Sequence, residues 1–310
     1  MSSLRRGVVP YRFTRTPPSA GTRRGVVPTF SSYDGTVLAY HLIGEGDPLV
    51  CVPGGPGRPS GYLGGLAAGR RLILLDNRGT GDSALPDDPS TYRVDRLVPD
   101  VEALRDHLGL ETIDLLAHSA TADVAVPYAA RHPHRIRRLV LATPSLRAVG
   151  LEPTEDEWLA EVRRRSAEPW YDSALAALDA WDSRDEREET WLPARPLYYS
   201  PWDQAAEAHT RSYPPVRAAA KGFFREGELD PDATRTAVKR LSAPALVIYG
   251  EDDPAPTSEQ AGAYAALFPD AQSTSVPGAH FPWVTAPVAR RSGYGSADSP
   301  SSRASLPRSP

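Results

Sequence analysis

Short runs of apolar residues alternate along the chain with stretches that have helical periodicity. Five runs are nearly continuous, which is typical of strands buried on both faces of a parallel sheet. They read PLVCVPG, RLILLDNRG, TIDLLAHS, IRRLVLATP and ALVIYGEDD. A hairpin with Asp34 and Gly35 at its turn is predicted before them, and a weaker last strand, STSVPGAH, after them. This order predicts an α/β fold with a mostly parallel, doubly wound sheet.

Helical stretches separate several of these strands. The stretch VDRLVPDVEALRDHLGL places four apolar residues at helical spacing, namely Leu97, Val101, Leu104 and Leu108. This spacing predicts an amphipathic helix with one face packed on the sheet. TADVAVPYAARHP and SEQAGAYAALFPD have a similar pattern and predict two further helices.

One long interruption follows the sixth predicted strand. Residues 146–240 show no strand pattern but hold five of the six tryptophans, Trp158, Trp170, Trp181, Trp191 and Trp202. An insertion here lies over the C-terminal ends of the strands, so we predict a helical lid over a binding site. The alternative is that the tryptophans only build a small core within the insertion. The predicted core then consists of residues 28–145 and 241–288.

Charge is distributed unevenly along the 310 residues. The net charge is −4, but residues 1–27 carry +6 and residues 289–310 carry +3, so the remaining body carries −13. An acidic body argues against a nucleic-acid partner, because phosphate binding needs positive charge on the folded surface. Both termini lack apolar periodicity and are expected to be disordered extensions.

Other features limit the function classes further. Cys51 is the only cysteine, which excludes internal disulfides and cysteine-based metal clusters. No apolar stretch approaches the ~18 residues of a membrane span, and no signal peptide is recognisable. No phosphate loop or metal signature appears either. The sequence therefore predicts a cytoplasmic protein without membrane association, metal or cofactor.

Three residues of complementary chemistry follow separate predicted strands. Ser119 ends the run TIDLLAHS, Asp253 ends ALVIYGEDD, and His280 follows the last strand. A nucleophilic serine needs a base to accept its proton and an acid to orient that base. Strand C-terminal ends meet at the edge where open α/β sheets bind ligands. The alternative for Ser119 is a serine that only caps the following helix.

A glycine-rich turn adds candidate hydrogen-bond donors to this edge. Gly54-Gly55-Pro56-Gly57 follows the third predicted strand. The backbone N–H groups of Gly55 and Ala120 are candidates for an oxyanion hole, which stabilises the charge of an acyl-transfer intermediate. The alternative is a simple Pro/Gly turn.

Five segments together resemble a known family. They are GGPG at 54–57, DNRGTGDS at 76–83, AHSAT at 117–121, YGEDDP at 249–254 and GAHFPW at 278–283. In this order they resemble the α/β-hydrolase superfamily, and specifically its proline iminopeptidase-like branch, over residues 28–288. The resemblance implies that Ser119 is the nucleophile, His280 the base and Asp253 the orienting acid. It also implies an oxyanion hole formed by Gly55 and Ala120, and it favours Asp253 over the adjacent Asp252.

The chain departs from the family pattern at several positions. The nucleophile motif G-x-S-x-G reads Ala117-His118-Ser119-Ala120-Thr121, so both glycines are replaced. The β-branched Thr121 is expected either to displace the turn or to point outward with its methyl group in a small gap. His118 is expected to pack or hydrogen-bond locally. The family's final helix is missing, which is expected to loosen the loop of His280.

The resulting hypothesis is a serine hydrolase that acts through an acyl-enzyme on small amides, esters or short peptides, like proline iminopeptidases. One alternative is an esterase or lactonase with the same triad, and another is a catalytically impaired binding protein. An aminopeptidase needs carboxylates for the substrate ammonium group. Candidates in the insertion are Glu155, Asp156, Glu157, Asp203, Glu207 and Glu226.

Overall fold

The computed structural model describes residues 26–67, 69–180, 192–224 and 229–285. Eight strands form one sheet in the order β1-β2-β4-β3-β5-β6-β7-β8. The strands are β1 Thr29–Ser31, β2 Val37–Ile43, β3 Pro48–Val52, β4 Arg71–Leu75, β5 Ile113–His118, β6 Ile136–Ala142, β7 Ala245–Gly250 and β8 Ala271–Val276. β1 and β2 pair antiparallel, as do β2 and β4, and every other pairing is parallel. The predicted doubly wound, mostly parallel sheet is confirmed.

Nine α-helices belong to the described part of the chain. They are α1 Val94–His107, α2 Ala122–Arg131, α3 Glu155–Arg163, α4 Tyr171–Ala180, α5 Gln204–Ser212, α6 Arg217–Phe223, α7 Pro231–Val238, α8 Ser258–Ala265 and α9 Pro282–Thr285. The three helices predicted between strands are α1, α2 and α8. Leu97, Val101 and Leu104 of α1 are buried, and Leu108 packs against the same core.

The central strands bury both faces, as their continuous apolar runs predict. Leu115 and Ala117 of β5 join a large core beneath helices α1 and α2, whereas Leu116 faces a second core on the other side of the sheet. By contrast, four consecutive residues of β8 are exposed. β8 is an edge strand, which explains why its apolar pattern is weak.

All described elements between β6 and β7 are helical. Trp158, Trp170 and Trp202 belong to a third apolar cluster that includes Val162 and Leu197, while Trp158 also lines the cavity described below. These side chains therefore build both a small core and a cavity wall. Trp181 and Trp191 lie outside the described residues.

The predicted terminal extensions lie almost entirely outside the described residues, which begin at Val26 and end at Thr285. The loop of His280 is nevertheless well anchored. The backbone N–H of His280 donates to the carbonyl oxygen of Tyr198 at 3.1 Å. Its own carbonyl oxygen accepts from Thr143 Oγ1 and interacts with His118 Nε2, both at 3.1 Å. Contacts from other segments thus hold this loop.

Candidate active site

Ser119 occupies a sharp turn between β5 and α2. Its φ of 56° is one of two positive values among the described non-glycine residues. Such a conformation costs on the order of 1–3 kcal/mol and persists where the surroundings enforce it. Gly54 enables this close packing, because a Cβ atom there would lie 2.4 Å from the His118 carbonyl oxygen and 2.8 Å from Ser119 Cβ. A glycine opposite the turn therefore gives the backbone of His118 and Ser119 the space that it needs.

Thr121 stabilises this turn from inside. Its side chain is fully buried, and Oγ1 lies 2.9 Å from the carbonyl oxygen of Val52 and 3.1 Å from that of His118. The hydroxyl therefore connects the ends of β3 and β5. Both expectations for Thr121 are wrong, since the side chain neither points outward nor displaces Ser119. A β-branched residue fits because its hydroxyl finds carbonyl acceptors in the gap between the strands.

The structure brings Ser119, His280 and Asp253 together. Ser119 Oγ lies 2.8 Å from His280 Nε2, and His280 Nδ1 lies 2.8 Å from Asp253 Oδ2. Asp253 is buried, whereas the adjacent Asp252 is exposed and accepts a hydrogen bond from Ser200 at 2.5 Å. Hydroxyl, imidazole and carboxylate thus form a continuous chain of hydrogen bonds. This arrangement permits proton transfer from Ser119 to His280.

Gly55 and Ala120 lie on the wall of the same cavity as Ser119 and His280. Gly55 has a φ of 125°, a conformation that favours glycine. The neighbouring Gly54 N–H is directed away from the reaction centre, since it donates to Tyr62 Oη at 2.7 Å. Both candidate oxyanion residues therefore line the cavity into which the serine opens.

His118 links the glycine turn to the loop of His280. Tyr62 Oη, which accepts from Gly54 N–H, lies 2.7 Å from His118 Nδ1. His118 Nε2 lies 3.1 Å from the carbonyl oxygen of His280. The Tyr62 hydroxyl can therefore donate a hydrogen bond to Nδ1. His118 then carries its proton on Nε2 and donates a hydrogen bond from there to the carbonyl oxygen of His280. Burial, and then the nearby His280, lower the pKa of His118 well below its usual value and keep it neutral.

His118 packs and hydrogen-bonds with its immediate surroundings as expected, but its partners Tyr62 and His280 are distant in sequence. No motif in the sequence indicates this pair. A tyrosine that lies eight residues after Gly54 looks like an ordinary core residue, and only the packing of the loop after β3 brings it to β5.

The DNRGTGDS segment stabilises the loop after β4. Asp76 Oδ1 accepts from both the backbone and the hydroxyl of Ser60, and Oδ2 accepts from the backbone of Asp82 and contacts His41 Nε2 at 2.8 Å. This hydrogen bond raises the pKa of His41. His41, Asp76 and Asp82 are close enough to share a cation, but the Asp76 oxygens already have partners. The contacts therefore support a structural role for Asp76.

The cavity next to Ser119 has a volume of about 710 Å³. The core contributes Ser119, His280 and the loop after β3, while the insertion contributes residues of α3, α5 and the segments between its helices. Among the five described acids of the six proposed for ammonium binding, only Glu155 lines it. Glu157 and Asp203 cap helices, and Glu207 pairs with Arg211. Glu226 lies outside the described residues.

In the part of the chain that the structure describes, no helix has the length and hydropathy that crossing a bilayer requires.

Comparison with known proteins assigns the family. The family model described as "alpha/beta hydrolase fold" matches residues 47–287. A proline iminopeptidase from Heyndrickxia coagulans is 27% identical over 262 residues, which cover 79% of this chain and 88% of that protein. A proline iminopeptidase from Lactobacillus helveticus is 40% identical over 114 residues, which cover 34% of this chain and 39% of that protein.

Among solved structures, an esterase from Exiguobacterium antarcticum aligns with a TM-score of 0.60 at 17% identity, covering 82% of this chain and 92% of that one. At this identity the similarity concerns the fold. The match of the family model over most of the chain confirms the resemblance found in the sequence. The chain belongs to the α/β-hydrolase family and is an enzyme of the hydrolase class.

Proposed function

We propose that this hydrolase cleaves small ester or amide substrates through an acyl-enzyme on Ser119. The observation that carries the proposal is the pair of 2.8 Å contacts that connect Ser119, His280 and Asp253. In the first step His280 Nε2 accepts the Ser119 proton while Oγ attacks the substrate carbonyl carbon. Asp253 accepts from Nδ1–H and stabilises the imidazolium cation that forms.

The remaining steps use the same groups. The tetrahedral oxyanion accepts hydrogen bonds from the N–H groups of Gly55 and Ala120, each of which typically contributes ~10²–10³ in rate. His280 then donates its proton to the leaving oxygen or nitrogen as the carbonyl reforms. Water, deprotonated by His280, attacks the acyl-enzyme and releases the acid and free Ser119.

The segment 146–240 is proposed as a lid over this reaction. Its helices supply Glu155, Trp158 and Thr210 to the wall opposite the sheet. A cavity of about 710 Å³ favours a small molecule or a short peptide as substrate. The cytoplasmic location and the absence of a nucleic-acid partner stay predictions from composition.

Active-site labelling tests the nucleophile. A fluorophosphonate probe is expected to label the wild type and to leave Ser119→Ala unlabelled. Ser145 lines the same cavity and donates to Asp123, so Ser145→Ala is the matched control and should still be labelled. A wild type that is folded but unlabelled would instead support a catalytically impaired binding protein.

The second question is the bond that is cleaved. Proline naphthylamide tests the activity named for the relatives, and nitrophenyl esters test the esterase alternative. Among the described residues, only Glu155 and the exposed Glu152 bring carboxylates to the cavity wall, which is a weak site for a substrate ammonium group. We therefore expect a higher kcat/KM for the esters. Efficient release of naphthylamine with poor ester cleavage would reverse this assignment.

A further inference from the structure

Arg58 lies beside the candidate oxyanion hole. It follows Gly55 by three residues on the loop after β3, and both residues line the cavity of Ser119. The Arg58 side chain packs close to the Gly55 backbone, since a Cβ atom on Gly55 would lie 2.9 Å from Arg58 Cγ. The guanidinium carbon lies 5.2 Å from the ring centroid of Phe281 and 5.7 Å from that of Tyr62. Aromatic rings thus hold a positive charge on the cavity wall.

This charge has no carboxylate partner among the described residues. Arg58 Nη1 is enclosed and has no hydrogen-bond partner in the described structure, while the guanidinium group interacts with the hydroxyl of Tyr199. The contrast is Arg78, which is fully buried and pairs with both Asp34 and Asp100, whereas Arg58 is half-buried. Burying a guanidinium group is costly unless it is paired and hydrogen-bonded, and ring faces replace only part of its lost hydration. The arrangement therefore favours an anion at this position.

The histidines near Arg58 are neutral and do not compensate its positive charge. Burial, together with the charge of Arg58, lowers the pKa of His209 to about 3, so this imidazole is neutral. His118 is neutral for the same main reason. Arg147, a second arginine on the wall, also has an Nη1 atom without a hydrogen bond, but it lies 3.7 Å from Glu152 and 3.8 Å from Asp123 and so has carboxylate partners. Arg58 is thus better suited than Arg147 to pair with a ligand.

We propose that Arg58 binds a carboxylate of the substrate, so that the enzyme prefers small esters or amides that carry a negative charge. This inference rests on the proposed function, because the carboxylate must be bound while Ser119 attacks. A guanidinium group suits the role since its planar donors match both oxygens of a carboxylate. It also opposes binding of a substrate ammonium group at the same wall.

Two pairs of chromogenic or phenolic esters test the proposal. Mono-4-nitrophenyl glutarate and its methyl ester differ by one charge in the acyl part, and 4-butyryloxybenzoate and its methyl ester differ by one charge in the leaving group. We expect the wild type to favour the anion in at least one pair by about 10- to 100-fold in kcat/KM, the range of a charge-assisted hydrogen bond. Added NaCl should reduce this preference.

Arg58→Met should lower the anion-to-neutral ratio by the same factor, and Arg58→Lys should retain part of it. The matched control is Arg164→Met, since Arg164 is an exposed lid residue paired with Glu161 outside the cavity. This control should keep the wild-type ratio. Thermal unfolding verifies that each variant is folded.

A wild type without preference for the anion in either pair would overturn the proposal, as would an unchanged ratio in folded Arg58→Met. Failure of the proposed function is a separate result. It would appear as absent fluorophosphonate labelling, or as cleavage of the neutral esters that persists in Ser119→Ala.

Discussion

Replacing Thr121 by the glycine of the family pattern should destabilise this chain. If Thr121 strained the turn of Ser119, glycine would relieve the strain and raise the free energy of unfolding. The structure instead shows a fully buried side chain whose Oγ1 lies 2.9 Å and 3.1 Å from the carbonyl oxygens of Val52 and His118. The sign of the change therefore separates the two interpretations.

Three substitutions divide the effect into parts. Thr121→Val preserves the shape but leaves the buried acceptors without the hydroxyl donor, which costs about 1–3 kcal/mol. Thr121→Ser retains the hydroxyl and removes one buried methyl group, at roughly 1 kcal/mol. Thr121→Gly loses both groups and adds backbone entropy to the unfolded chain, so we expect a loss of about 3–5 kcal/mol.

Urea-induced unfolding at constant pH measures these differences through the midpoint and the slope. The expected order of stability is wild type, then Thr121→Ser, then Thr121→Val, then Thr121→Gly. A glycine variant as stable as the wild type would refute the reasoning. A valine variant as stable as the wild type would show that the hydroxyl contributes nothing beyond its volume.

Two further predictions concern packing and pH. Gly54→Ala should lower the unfolding temperature, with a cost of about 1–3 kcal/mol or more, because its Cβ would lie 2.4 Å from the His118 carbonyl oxygen. The control Gly262→Ala, in α8, meets no atom within 4 Å and should stabilise by about 0.5–1 kcal/mol; equal effects would contradict the packing argument. Burial raises the pKa of Asp123 to about 6, so the folded protein binds a proton between pH ~4 and ~6 that the unfolded chain releases. The free energy of unfolding of the wild type, relative to that of Asp123→Asn, should thus fall by about 1–3 kcal/mol as pH rises through this window and stay level above it. A difference between the two urea midpoints that is the same at every pH would exclude this.

Local patterns determined much of the fold. The apolar runs predict the central strands, because a strand buried on both faces of a parallel sheet must be apolar at nearly every position. Ser119, Asp253 and His280 are predicted together for a related reason. Each follows a strand, and parallel strands end at one edge of the sheet. Their order along the chain therefore indicates a shared site before any distance is known.

Tertiary packing decided the finer properties of the site. Thr121 fits because β3 presents a carbonyl oxygen at the distance of its hydroxyl, and no pattern around residue 121 contains that information. His118 joins Tyr62 to the loop of His280 for the same reason. The role proposed for Arg58 depends on an enclosed Nη1 atom without a hydrogen-bond partner, which only the folded structure reveals. Such roles depend on contacts between segments far apart in sequence, and these form only when the chain has folded.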